Sequence, residues 1–297
     1  MAAPPPWHDA GMSLHAELAL LEGPPTTVVA GVAVTRTGRP PGQAPTLVLI
    51  HGVGAARLVW APVLAPLAAR YDVIVVDLPG HGASAPLPPG ADASCPALAL
   101  RLGGVLRELG AAHPHLAGNS LGGWVALELA ADGSASSVTA LAPAGLRLVP
   151  GEPTPLLRIN RMMARLTGRL GESLSANATI RRLTFASSST DPGALDPGLA
   201  RGVARALRTC TGYEAMIAAT DRITFDRGDR VVVPVTIAFG DRDRILPAPD
   251  NQQRQAAPPG ARWEVLPGCG HAPMWDAPAR SVELVDATVH SAGEPAA

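Results

Sequence analysis

Short, unbroken apolar runs alternate along this chain with stretches in which apolar residues return every three or four positions. The runs are TLVLI at 46–50, DVIVVD at 72–77, HPHLAGN at 113–119, SVTALA at 137–142, VVVPVTIAFG at 231–240 and ARWEVLP at 261–267. TLVLI is a continuous apolar run, the mark of a strand buried on both faces, and the others read as further strands. Helices are predicted at 58–70, 97–109, 121–131, near Gln252 and at 278–290; in the second, Leu98, Leu102, Val105, Leu106 and Leu109 share one face. Strands alternating with helices predict an α/β fold with a mostly parallel, doubly wound sheet. Upstream, HAELALLE and TTVVAGVAVTR, within residues 14–38, read as two β-like runs. Residues 1–13 read as a flexible arm, because Pro4, Pro5 and Pro6 suit neither helix nor ladder.

The rhythm breaks after Pro143. Residues 146–228 are helical in pattern and rich in arginine, and the αβ alternation then resumes. The expected organisation is a core of 14–145 and 229–297 with a helical cap insertion at 146–228. Such an insertion sits over the C-terminal edge of a parallel sheet, where ligands bind. Within it PLLRINRMMARLTGRL is amphipathic. Leu156, Ile159, Met163, Leu166 and Leu170 fall near one face, and Arg158, Arg161, Arg165 and Arg169 share another. The arginine row reads as a solvated face. A sharper reading pairs one of these arginines with a substrate carboxylate, and Met162 and Met163 with an acyl pocket. There is no internal repeat.

Composition narrows the chemistry. The 297 residues carry 24 basic and 25 acidic side chains, for a net charge of −1, and every basic one is arginine. Without lysine there is no P-loop lysine, no Schiff base and no Ser-x-x-Lys base. Near-zero net charge gives no electrostatic case for nucleic acid or an anionic membrane. Cys95, Cys210 and Cys269 are far apart and form neither a disulfide framework nor a zinc pair. The N-terminus lacks the basic and apolar regions of a signal peptide, and no apolar run is long enough for a membrane span, so a cytoplasmic protein is expected. The 31 glycines and 31 prolines mostly punctuate loops. Oligomeric state leaves no signal in the sequence.

One constellation carries chemistry. Gly118-Asn119-Ser120-Leu121-Gly122 fits G-x-S-x-G between a predicted strand and a predicted helix. Such an elbow exposes a nucleophilic serine at a sharp turn, with Gly118 and Gly122 clearing the approach of strand and helix; a serine N-cap is the plainer alternative. His271, in Gly268-Cys269-Gly270-His271, follows a strand and lies at the same sheet edge, which suits a general base. His81 reads as a structural hydrogen-bonder. Asp241 and Asp243 both follow the strand ending at Gly240, and spacing alone does not choose which orients the histidine. The oxyanion of an acyl intermediate needs two N–H donors. Leu121, after the nucleophile, is one. Val53, in the loop His51-Gly52-Val53-Gly54, is the other. That loop also resembles a dinucleotide fingerprint with Asp77 as ribose ligand, but Arg57 stands where its third glycine belongs.

Five segments together resemble the α/β-hydrolase fold family: IHGVGAARLVW, VVDLPGHGAS, GNSLGGWVALELA, FGDRDRILP and PGCGHAPMWDAP, spanning about 47–278 in the family's order. The resemblance implies that fold, with Asp243 as the acid of a Ser120–Asp243–His271 triad and Asp241 as fallback. It also supports Val53 and Leu121 as oxyanion donors. Ser120 argues against haloalkane dehalogenases, which carry aspartate at the elbow. The expected activity is a serine hydrolase acting, without metal or organic cofactor, on an ester, lactone or related acyl bond of a small, mostly apolar substrate. Alternatives are a carbon–carbon bond hydrolase of ring-cleavage-type diketones, an acyltransferase, or a ligand-binding member of the fold.

Overall fold

The computed structural model describes residues 13–151 and 155–293. Most of the expected N-terminal arm therefore lies outside the described residues; Ser13 is its one described member.

The first described element corrects the sequence reading. Leu14–Glu22, expected as a β-like run, is a helix, α1. The segment contains no β-branched residue and is rich in leucine, alanine and glutamate, which favour helix. Ser13 caps it by accepting the Ala16 N–H at 3.3 Å. Glu17, Leu18 and Leu21 face inward. TTVVAGVAVTR does form strands: β1 (Thr27–Val29) and β2 (Val32–Gly38) make an antiparallel hairpin.

Then come β3 (Thr46–Ile50), a 3₁₀ turn at Arg57–Trp60 leading into α2 (Ala61–Ala68), β4 (Asp72–Val76) and α3 (Cys95–Glu108). They are followed by β5 (His115–Asn119), α4 (Leu121–Ala131) and β6 (Ser137–Leu141). Four helices intervene before the sheet resumes: α5 (Pro155–Leu174), α6 (Ala178–Thr184), α7 (Pro197–Thr209) and α8 (Tyr213–Thr220). β7 (Val235–Gly240), β8 (Arg262–Leu266), α9 (Pro273–Asp276) and α10 (Pro278–Ser291) complete the described chain.

The eight strands form one sheet in the order β1-β2-β4-β3-β5-β6-β7-β8, antiparallel at β1–β2–β4 and parallel from β4 onward. The period-two geometry of a strand explains the continuous apolar runs. Val48, Ile50, Ile74 and Val76 pack on one side with α3 and α4, whereas Leu47, Leu49, Val73 and Val75 pack on the other with α1, α2 and α10. Because β3, β5, β7 and β8 run parallel, the loops after them emerge at one edge of the sheet. Those loops carry His51, Ser120, Asp243 and His271.

α5 also departs from expectation. Its one buried side chain is an arginine, Arg161, while the apolar row is open to solvent. Arg161 is held by the carbonyls of Leu207 and Cys210, by Glu214 at 3.2 Å, and by the Tyr213 ring 5.2 Å below it. A guanidinium can be buried when its donors find this many acceptors. Periodicity identifies the two faces of a helix, but which one is covered depends on its neighbours.

Candidate active site

Ser120 sits at the apex between β5 and α4 with φ 57° and ψ −119°, a left-handed conformation unusual for a residue with a side chain. Its side chain makes no capping hydrogen bond, so the N-cap alternative fails. The turn closes only because its flanking residues are glycines. A Cβ on Gly118 would come within 2.3 Å of the Gly122 carbonyl oxygen, and one on Gly122 within 2.2 Å of that of Ile50.

His271 and Asp243 meet behind this turn. His271 Nδ1 lies 2.8 Å from Asp243 Oδ2, and both side chains are buried. Asp243 Oδ1 accepts the N–H groups of Ile245 and Leu246, each at 2.8 Å. Burial pushes the Asp243 carboxyl up; the charge and hydrogen bond of His271, helped by the two N–H groups, outweigh that and hold it below its ordinary value. Asp241, the other carboxylate that spacing allows, is exposed and instead accepts the Gly268 N–H at 2.8 Å. It braces the loop that carries the histidine without touching the ring.

Ser120 and His271 line the same cavity, of about 610 Å³, between the sheet edge and α5–α7. There is no hydrogen bond between their side chains among those of the described residues. The Val53 and Leu121 N–H groups lie beside the serine with no hydrogen-bond partner among the described residues. The cavity wall is mostly apolar, with Met163, Leu183 and Trp275 contributing. No arginine lines it among the described residues. Its one carboxylate, Glu172, is paired with Arg208 and lies 3.8 Å from Arg205. The expected arginine for a substrate carboxylate is therefore not among the cavity's described lining. Met163 reaches the cavity and Met162 does not.

The loop after β3 is set by two buried histidines whose rings lie 5.0 Å apart. His51 Nδ1 bonds the Gly52 carbonyl at 2.7 Å and its Nε2 accepts the Leu78 N–H at 3.0 Å. His81 Nδ1 bonds the Pro79 carbonyl at 3.0 Å and its Nε2 accepts the Gly54 N–H at 3.0 Å. Burial lowers His51 to about 4; burial, with the neighbouring His51, lowers His81 to about 3. Both are neutral at pH 7 with both ring nitrogens engaged, so neither can act as base. Asp77 is occupied by the Arg57 N–H at 2.7 Å, the Arg57 Nε–H at 2.9 Å and the Ala83 N–H at 2.9 Å. It has no role as a ribose ligand.

Two supporting residues were not singled out from the sequence. Asn119 Nδ2 donates to the Leu141 carbonyl at 3.1 Å and to the His271 carbonyl at 3.0 Å, tying the histidine loop to the elbow. Asp276 accepts the Gly270 N–H at 2.6 Å and the Ser189 hydroxyl at 2.6 Å, tying that loop to the inserted helices. Their positions inside two of the quoted segments, Asn119 in GNSLGGWVALELA and Asp276 in PGCGHAPMWDAP, were the only signs of them.

Residues 47–284 match the alpha/beta hydrolase family, and the chain belongs to it. An uncharacterised protein of Mycobacterium tuberculosis is 30% identical over 269 residues, covering 84% of this chain and 77% of that one. A pimeloyl-[acyl-carrier protein] methyl ester esterase of Aeromonas hydrophila is 30% identical over 255 residues, covering 82% and 95%. A crystal structure of a membrane phospholipase A superposes with a TM-score of 0.72 at 25% identity, covering 94% of this chain and 88% of that one.

Proposed function

We propose that the protein is a serine hydrolase cleaving an ester or lactone of an apolar substrate through an acyl-enzyme. The observation that carries this reading is the strained Ser120, which opens onto the same cavity as the buried His271–Asp243 pair. Ser120 Oγ attacks the carbonyl carbon while His271 Nε2, left free by the Nδ1–Asp243 bond, takes its proton. The negative oxygen of the intermediate is stabilised by the Val53 and Leu121 N–H groups and by the N-terminal end of α4. Collapse breaks the bond to the leaving oxygen, which receives the proton from His271. Water, deprotonated by the same ring, then attacks the acyl carbon and restores Ser120. The inserted helices act as a cap that excludes bulk water.

The apolar wall and the neutralised Glu172 favour an uncharged substrate. A fluorophosphonate probe tests the assignment: it labels the wild type and not Ser120→Ala, whose ester hydrolysis falls at least about 10⁴-fold. Labelling of Ser120→Ala at the wild-type rate refutes the reading.

A further inference from the structure

α5 and α6 show solvent an apolar face that a soluble helix ordinarily buries. Ile159, Met162, Met163 and Leu166 recur at three- and four-residue spacing up to a kink at Gly168, and Leu170 and Leu174 continue the row beyond it. Leu166 is 77% exposed, Leu170 67%, and Leu183 on α6 76%. The helix cannot roll to hide them, because Arg161 anchors its opposite side in buried hydrogen bonds. Contiguous exposed apolar rows of this kind mark interaction surfaces.

Charge identifies the partner. Residues 155–184 contain Arg158, Arg161, Arg165, Arg169, Arg181 and Arg182 against a single acid, Glu172, in a chain whose net charge is −1. Arg158, Arg165, Arg169 and Arg182 are exposed; Arg158 lies 3.5 Å from Asp221 and Arg165 3.1 Å from Glu214, and Arg169 and Arg182, which pair with no carboxylate among the described residues, carry the charge beside the apolar row. An apolar strip bordered by arginines is the pattern of a helix lying in the headgroup plane of an anionic bilayer. A second copy of the chain is disfavoured, since a two-fold contact would set these arginines against themselves. No described helix is long and apolar enough to cross a membrane, so the contact would be peripheral.

The cavity opens on this face. Ile159, Met163, Leu174 and Leu183 are exposed and also line the cavity that holds Ser120. We infer that the α5–α6 face docks on an anionic lipid surface and admits apolar substrate from it to the cavity. The second half of this inference rests on the serine hydrolase reading; the docking does not.

The test is sedimentation of full-length Ser120→Ala protein with vesicles of phosphatidylglycerol and phosphatidylcholine in equal parts. The protein pellets with these vesicles. Its apparent affinity falls at least about ten-fold on phosphatidylcholine alone, on adding L166E/L170E, and on adding R169E/R182E. Leu166 and Leu170 lie outside the cavity wall, so L166E/L170E on the wild-type background keeps its kcat/KM for the water-soluble ester 4-nitrophenyl acetate, which shows that it folds. Failure to pellet, or pelleting unaffected by L166E/L170E, overturns the inference. So does light scattering that shows a dimer dissociated by L166E/L170E, because the face would then cover a second copy. A wild type that pellets but does not take the fluorophosphonate label would sink the hydrolase reading and leave the docking standing.

Discussion

Asp243 Oδ2 lies 2.8 Å from His271 Nδ1, and the other oxygen of the same carboxylate takes two backbone N–H groups. The carboxylate is thus fixed by the chain before it fixes the ring. Asp243→Asn keeps the shape but presents an amide to Nδ1, favouring the wrong tautomer. We expect kcat to fall about 10⁴-fold with KM little changed. Asp241→Asn retains an oxygen for the Gly268 N–H and should cost less than about ten-fold. Parallel steady-state kinetics on the two variants check the assignment, and equal losses would contradict it.

Stability against pH follows buried groups of opposite sign. Asp243 has a folded-state pKa below its ordinary value, so its contribution is present above that ordinary value and lost as pH falls through the depressed one. Glu17 behaves inversely. Burial raises it to about 7, against a backbone hydrogen bond from Ala65 that lowers it. Its stabilising contribution is complete below the ordinary carboxylate value and disappears as pH rises through about 7. His51 and His81, neutral inside and lowered to about 4 and about 3, pull the other way as pH rises towards 7, so the effect is read as a difference: relative to Glu17→Gln, the wild type should lose about 2 kcal/mol of urea-unfolding stability between pH 5 and pH 8 after allowing for screening. Glu17→Gln keeps an acceptor for the Ala65 N–H and removes the decline. An unchanged slope in that variant would place the effect elsewhere.

His81 holds the Gly54 N–H from inside the fold, one residue beyond Val53. His81→Phe frees that amide and loosens the loop that aims the Val53 N–H. We expect kcat to drop about 10- to 100-fold with KM nearly constant, as for loss of one oxyanion donor. The midpoint of the acid limb of kcat/KM should stay where it is, because His81 titrates only near 3. A shifted midpoint would show that His81 exchanges protons during turnover.

The residues of the candidate site were more legible in the sequence than their supports. G-x-S-x-G betrays itself because both glycines are required, Gly118 by an approach of 2.3 Å inside the motif and Gly122 by one of 2.2 Å to the Ile50 carbonyl on β3. The parallel strands are legible because burial on both faces leaves continuous apolar runs. Asn119 reaches His271 and Asp276 reaches Ser189, each far away in the chain, and no local pattern encodes that. The helix at Leu14–Glu22 misleads because its apolar and polar residues partly alternate; composition, not alternation, was the better guide. For α5 the arginine row is solvated as expected except at Arg161, whose burial depends on carbonyls at Leu207 and Cys210, and the apolar row is left exposed.

The two sides of Ser120 differ in size, and this predicts substrate shape. The large cavity of about 610 Å³ includes His271, which in the proposed mechanism gives its proton to the leaving oxygen. The leaving alcohol must therefore extend into that cavity. On the other side, a recess of about 50 Å³ is lined by Ser120, Val53 and Leu121, with Leu157, Met216 and Ile217 closing it, and it lacks the histidine. The acyl chain is directed there, and the space suits only a few heavy atoms. We expect octyl acetate to be cleaved with a kcat/KM at least about ten-fold above that of methyl nonanoate, an isomer with the chain on the acyl side. Ile217→Ala enlarges the recess by three methyl-sized groups and should raise the rate on hexanoate esters relative to acetates. Fluorogenic esters of graded acyl length measure this directly, and a wild-type preference for long acyl chains would reverse the assignment of the two sides.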